Sequence, residues 1–187
     1  KTQSTWLDFK TEDISLFDIS SANYPAQYAN ANGTPLHAWR YVLSKLSDLD
    51  TTRLHYVKVP ENHIVIDFDI KNEKGEKDLE LNIKAASKFP ETYAEISKGG
   101  GGVHLHYIYD GDVNKLSRIY DDGIEVKIYT GGSALRRKRT KCVNKQIAHI
   151  NSGLPLRGDV KMLDIKTIKD NRHLMVMIKK CLHKEFP

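Results

Sequence analysis

The chain has 187 residues, of which 40% are hydrophobic and 28% charged, and Lys and Arg outnumber Asp and Glu to a formal net charge of +5. Such a composition belongs to a globular chain of one ordinary domain, not to a disordered one. Two cysteines, Cys142 and Cys181, exclude a disulfide framework and a four-cysteine zinc site. Both are expected to be reduced and buried, in a cytoplasmic setting. No run of about 18 apolar residues marks a membrane span, and KTQSTWLDFK lacks the apolar segment of a signal peptide. Beginning at Lys1 without methionine, the chain is expected to be a piece of a longer or processed protein.

In chain order, the small polar residues 20–33 predict a long loop. Thr34-Pro35 then resembles an N-cap followed by proline at the first helical position, and Leu36, Trp39, Leu43 and Leu46 recur at helical spacing. A helix over 35–47 is therefore predicted. Alternation predicts strands at 53–59 and 63–70, the second being HIVIDFDI. A helix near 77–88 ends before Pro90. Further strands are predicted at 92–97, 103–109 and 124–129, with a weaker one at 147–150. Leu174, Met177, Ile178, Cys181 and Leu182 make the apolar stripe of a C-terminal amphipathic helix. The order β-α-β-β-β from 63 to 129 implies an α+β chain. An RRM-like catalytic sheet with helices on one face would fill residues 61–187, preceded by an αβ subdomain over 1–60.

Chemistry concentrates in three segments. Within HIVIDFDI, alternate residues share a face, so Asp67 and Asp69 point together while Ile66, Phe68 and Ile70 point into the core. Two like charges in an apolar strand need a compensating cation, and Mg²⁺ binds through one or two carboxylates plus substrate phosphates. In IEVKIY, Glu125 shares a face with Lys127 and Tyr129 and supplies a third acid, enough for two metal ions in nucleotidyl transfer. Without a metal, the same acids would be solvated, with Glu125 paired to Lys127.

In SKGGGGVHLHYIY, four glycines allow close backbone approach to a phosphate, and His104 and His106 follow on one strand face. Lys98 in the same loop is a weaker phosphate candidate. The run RRKRTK places Arg136, Arg137, Lys138 and Arg139 shortly after the Glu125 strand, where guanidinium groups suit triphosphates and strand backbones. Arg136, Arg137 and Lys127 are the nucleotide candidates there, and all four residues of the run are DNA candidates. Cys142 and His149 have no partners at zinc spacing.

Taken as an ordered set, these motifs resemble those of the archaeo-eukaryotic primase superfamily, in particular the primase-polymerase domains of phage and plasmid replication proteins. IVIDFDI resembles its paired-aspartate motif, GVH its small-x-His motif, and GIEVK its later acid. The resemblance covers roughly residues 60–155. It implies template-directed joining of nucleoside triphosphates on single-stranded DNA with Mg²⁺ or Mn²⁺. Asp67, Asp69 and Glu125 would hold the metals, and His104 would contact the incoming phosphates. It also implies a C-terminally fused helicase domain and the cytoplasm of a host cell. The third acid is often Asp in that family, and Glu reaches about one methylene further.

Two other classes fit part of the pattern. His104-Leu105-His106 is the His-hydrophobic-His core of an HUH replication-initiator or relaxase endonuclease. That reading leaves the DFD strand unexplained and finds no well-placed tyrosine nucleophile. A non-catalytic nucleic-acid-binding module on an RRM-like sheet would hold phosphates through Lys and Arg, against the repulsion of its own central acids.

Overall fold

A computed structural model describes residues 5–158 of the chain. It is an α+β structure of mostly antiparallel strands in two sheets. In chain order the elements are α1 (Leu16–Ser20), β1 (Ala26–Tyr28), β2 (His55–Val57), β3 (His63–Phe68), α2 (Leu79–Ala86), β4 (Ala94–Ile96), β5 (Val103–Tyr109), β6 (Ile119–Asp121), β7 (Ile124–Ile128), β8 (Leu135–Arg137), β9 (Cys142–Val143) and β10 (Ala148–Ile150). Single 3-10 turns form at Trp39–Tyr41, Leu46–Asp48 and Val113–Lys115.

The large sheet has the strand order β6-β7-β3-β5-β4-β9, and β10 adds to β5 as a parallel partner. β3 and β4 both run antiparallel to β5, which therefore lies between two parallel strands joined through α2. β7 closes the other side of β3, again antiparallel. The small sheet has the order β1-β2-β8 and is antiparallel throughout.

Strand alternation divides the core into two layers. Ile64, Ile66 and Phe68 of β3, with Val103, Leu105 and Tyr107 of β5 and Val126 of β7, face α2 and its Leu79, Ile83 and Ala86. Each such fully buried side chain stabilises the fold by about 1.5–3 kcal/mol relative to exposure. Val65 and Tyr129 point the other way and meet Phe17, Ala26, Val57 and Leu135, which seats the small sheet on the opposite face. Helices on one face is thus half of the arrangement, because the second face carries the small sheet and α1.

α2 forms because Asp78 caps it, its side chain accepting from the Leu81 N–H at 3.2 Å, and because Ile83 and Ala86 fall on the inward stripe. The helix predicted over 35–47 does not form. Asn30 holds the Asn32 and Thr34 amides, Gln27 clamps the His37 backbone, and Ser44 accepts from the Ala26 N–H at its carbonyl while its hydroxyl donates to the Ala26 carbonyl. The stretch is thereby drawn out along β1, with Leu36 and Leu43 exposed and only Leu46 fully buried. An apolar period without a surface to pack on does not hold a helix. The long loop predicted for 20–33 contains β1, and HIVIDFDI leaves the ladder after Phe68. The predicted C-terminal helix and Cys181 lie outside the described residues, while Cys142 is buried in β9. Among the described residues, no helix is long and apolar enough to cross a membrane.

Candidate functional site

Register, not sequence proximity, assembles the site. Glu95 of β4 pairs with His104 of β5, His104 with Asp67 of β3, and Asp67 with Glu125 of β7. Directly opposed residues of antiparallel strands share a face, so four titratable side chains form one row across four strands. Its two ends differ most, the Glu95 side chain being 3% exposed and Glu125 58%, with His104 at 27% and Asp67 at 19% between them.

Asp67 stands in the middle of the row, between His104 and Glu125. Its Oδ1 accepts from His104 Nε2 at 3.1 Å, and its Oδ2 lies 3.9 Å from Lys127 Nζ. Burial pushes its carboxyl pKa up, but the His104 hydrogen bond and the charges of His104, Lys127 and Lys77 outweigh this and hold it below the usual value. Lys127 Nζ is also 3.9 Å from Glu125 Oε2, so one ammonium bridges the two opposed carboxylates. Asp69 follows the end of β3. Its N–H donates to the Gly123 carbonyl at 2.7 Å, and its carboxylate pairs with Lys77 at 2.8 Å. Beside it, a groove of about 540 Å³ opens between Asp69–Lys71 and the β6–β7 hairpin, lined by Asp121, Asp122 and Glu125.

Among the described residues, no group of three or more His, Cys, Asp or Glu side chains is gathered to hold one metal ion. The donor set nevertheless suits a hard divalent cation, being carboxylate oxygen throughout. Asp67 and Glu125 flank a single cationic side chain, and Asp69 holds another. Those ammonium groups supply the compensation that paired acids need.

The glycine run has a local cause. Ser97 and Gly102 close a tight turn, the Gly102 N–H donating to Ser97 Oγ at 2.9 Å, and Gly100 has φ +87°. A Cβ on Gly102 would stand 2.8 Å from the Phe68 carbonyl oxygen, and one on Gly101 would stand 2.7 Å from Lys77 Cβ. Gly102 thus lets the turn lie flat on the end of the Asp67 strand and Gly101 lets it pass Lys77, whereas Gly99 has open space around it. The exposed Lys98 sits in the same turn.

Fully buried Asn82 of α2 locks this arrangement, a residue the sequence pattern did not single out. Its Oδ1 accepts from Ile70 N–H at 2.7 Å, while its Nδ2 donates to the Ile70 carbonyl at 3.3 Å and the Gly101 carbonyl at 2.9 Å. The tail of the aspartate strand and the glycine turn thus hang from one amide.

Other expected site residues lie elsewhere. His106 shares the face of His104 but is buried beneath Phe17, with its Nδ1 2.9 Å from His63 Nε2, so no phosphate reaches it in this arrangement. The basic run divides by strand alternation. Arg136 and Lys138 are exposed, whereas Arg137 points into the core between the sheets. Arg137 Nε donates to both Glu95 oxygens at 3.1 and 3.0 Å, Nη2 to Glu95 at 2.6 Å and Nη1 to Asp18 at 2.5 Å, while its Cζ lies 4.4 Å over Phe17. Arg139 binds Thr51, the Glu12 carbonyl and Asp18. Arg137 is therefore a structural cation and not a nucleotide or DNA contact, since breaking a buried pair costs several kcal/mol.

Glu95 was also missed in the sequence. An acid inside the apolar strand TYAEIS is the same kind of signal as the aspartates of DFD, and it marks the buried end of the row. Tyr93 caps it with a hydrogen bond to Glu95 and a 2.7 Å bond to Ser15. His149 is exposed and pairs with Asp110. No family model matches the chain, and no curated protein matches it either.

Proposed function

We propose that the chain is a template-directed nucleotidyltransferase of the primase-polymerase kind, with an RRM-like catalytic sheet. The observation that carries this is the single register row Asp67–Glu125–His104, open to solvent at its Glu125 end and continued by Asp69 beside a groove. The strand order supports the sheet type. Two parallel strands joined by a helix, with a third antiparallel strand between them, form a split β-α-β unit, and β7 completes four strands. A 3-10 turn and the β6 hairpin stand where a second helix would be expected.

Asp67, Asp69 and Glu125 would hold Mg²⁺ or Mn²⁺, which lowers the barrier by neutralising charge on the triphosphate and the attacking oxygen. With Asp67 turned to the metal, the His104 Nε2–H that now donates to it would be released to donate to a phosphate oxygen of the incoming nucleotide. Lys127 and Lys77, displaced from the carboxylates, and Lys98 on the turn would supply further phosphate contacts. In the reaction a 3′ oxygen bonds to the α-phosphorus, the α–β phosphoanhydride breaks and pyrophosphate leaves. The template is single-stranded DNA, the setting is the cytoplasm, and a fused helicase would supply unwound strand.

The HUH reading would need His104 and His106 on one metal, and the bond from His106 to His63 speaks against it. The test is incorporation of labelled nucleotide on primed and unprimed single-stranded DNA with Mg²⁺, Mn²⁺ or EDTA. Metal-dependent extension that is lost in Asp67→Ala is expected, and extension by that variant at the wild-type rate would overturn the proposal. Metal-independent DNA binding without incorporation would favour a binding module, and template cleavage leaving protein covalently on DNA would favour the nuclease.

A further inference from the structure

The small sheet has an outer face, turned away from the large sheet, that the candidate site does not use. Gln27, Tyr56 and Arg136 form one register row on it, since their neighbours Ala26, Val57 and Leu135 all point inward. The segment 30–44 straps this face. Tyr56 donates from its hydroxyl to the Gly33 carbonyl at 2.5 Å, and Arg136 Nη2 lies 3.1 Å from the point where a Gly33 Cβ would stand. Gln27 fixes His37 through bonds of 2.9 and 2.7 Å. The strap is thus a built surface with defined anchor points.

What it displays is unusual for a surface with no partner. Leu43 is 92% exposed, Tyr41 66% and Leu36 48%, while Trp39 is half-buried on the same turn. The Arg40 guanidinium lies 4.8 Å from the Tyr41 ring centroid. The segments that form strap and face, residues 26–47, 53–60 and 133–138, contain no Asp or Glu, although the chain has 24 of them. The nearest acids in sequence are Asp48 and Glu61, each directly after one of these segments, and Asp50.

Positive charge excludes a basic partner, and flat π faces interleaved with guanidinium groups match an occupant that alternates phosphates with stackable rings. We propose that this outer face is a landing surface for single-stranded DNA, with Trp39 and Tyr41 stacking on bases and Arg40, Arg136 and Lys138 meeting phosphates. The choice of DNA rests on the polymerase reading, whereas the surface itself lies outside the row of acids.

The experiment is fluorescence anisotropy of a labelled thymidine oligonucleotide titrated with the 187-residue chain in EDTA, without triphosphate, so that no metal-dependent step contributes. Wild-type protein should bind with an affinity that falls steeply with salt, and Arg136→Ala with Lys138→Ala should flatten that slope. Trp39→Ala and Tyr41→Ala should each weaken binding about 5- to 100-fold, while Tyr41→Phe retains it. Leu43→Asp serves as the variant least able to disturb folding, because that side chain is almost wholly in solvent, and it should weaken binding by placing a carboxylate on the surface. Oligonucleotide should quench tryptophan fluorescence in wild type and not in Trp39→Phe, since Trp6 is tied to the Ser87 carbonyl at a distant point. Wild-type affinity in the Trp39, Tyr41 and Leu43 variants, or no binding by wild type, would overturn the proposal. Asp67→Ala should bind as wild type here, so the two proposals can fail separately.

Discussion

His63 and His106 face each other across neighbouring strands, Nε2 to Nδ1 at 2.9 Å, sealed between the two sheets by Phe17 and Tyr93. One ring donates and the other accepts, so the accepting ring is neutral. Burial and the nearby Arg137 charge push His63 down to about 4. Burial, the neighbouring imidazoles and Arg137 push His106 well below the ordinary range.

The sign of the pH effect follows. In the unfolded chain both imidazoles take up protons near pH 6.5, and in the folded chain they do so only much lower. From about pH 6.5 down to about 4 the unfolded state binds more protons, so stability falls with falling pH. Above pH 7 the curve should be flat from this source. His55, lowered mainly by burial, adds in the same direction. Denaturant unfolding at pH 7.5 and 5.5 should differ by roughly 2–3 kcal/mol, and a double His63→Leu, His106→Leu variant should lose most of that difference. Equal stability at the two pH values would mean that the pair is protonated in the fold.

Adjacent arginines should behave oppositely. Arg137→Ala strands Glu95 without its cation inside the core and should cost about 3–5 kcal/mol. Arg136→Ala removes an exposed side chain and should stay within about 0.5 kcal/mol. Urea titration of both variants checks this, and similar losses would contradict the alternation of β8.

Asn82→Ala should destabilise by about 1–3 kcal/mol, because the Ile70 amide and the Gly101 carbonyl lose a buried partner. Asn82→Asp can still accept from Ile70 but cannot donate to Gly101, and it adds a buried charge, so it should fare no better. Hydrogen exchange should show the loss at residues 99–102 and at Ile70 before it appears in β5. A uniform loss would make Asn82 an ordinary core residue.

Lys127 bridges the two carboxylates that the proposed function assigns to metal. Lys127→Met should leave them uncompensated and tighten Mn²⁺ binding a few-fold, read by paramagnetic resonance titration, while weakening triphosphate binding. The half-exposed ammonium is screened by water, which keeps the effect small. Weaker Mn²⁺ binding in the variant would count against those carboxylates as metal ligands.

Period-two alternation made β3, β5 and β7 legible before any fold was seen, and with them the faces of Asp67, His104 and Glu125. Register was not legible, because it depends on how the Gly99–Gly102 turn and the β6–β7 hairpin end the strands. His104 and His106 looked equivalent, and only the small sheet seated above His106 separates them. The 35–47 stretch carried a helical period that its anchors to β1 override. β8 was hidden because a run of basic residues reads as a solvated face. The partner that draws Arg137 inward, Glu95, lies 42 positions away. Local pattern records what a residue prefers and not which distant charge will meet it.

The basic strand also has a consequence for length. Leu135 and Arg137 face the seam between the sheets and Arg136 faces outward, and β8 is tethered to β2 by three consecutive pairs. Adding or deleting one residue in the 130–134 turn, with the pairing retained, would turn the strand over. An insertion would carry Arg136 to the place of Arg137 beside Glu95, bring Leu135 to the surface and leave only Ala134 in the seam, whereas a deletion would put Arg136 in the place of Leu135 and Lys138 in that of Arg137. Substitution can therefore vary the outward residues of this strand at little cost to the fold, whereas a change of reading length by one is the alteration the fold cannot absorb.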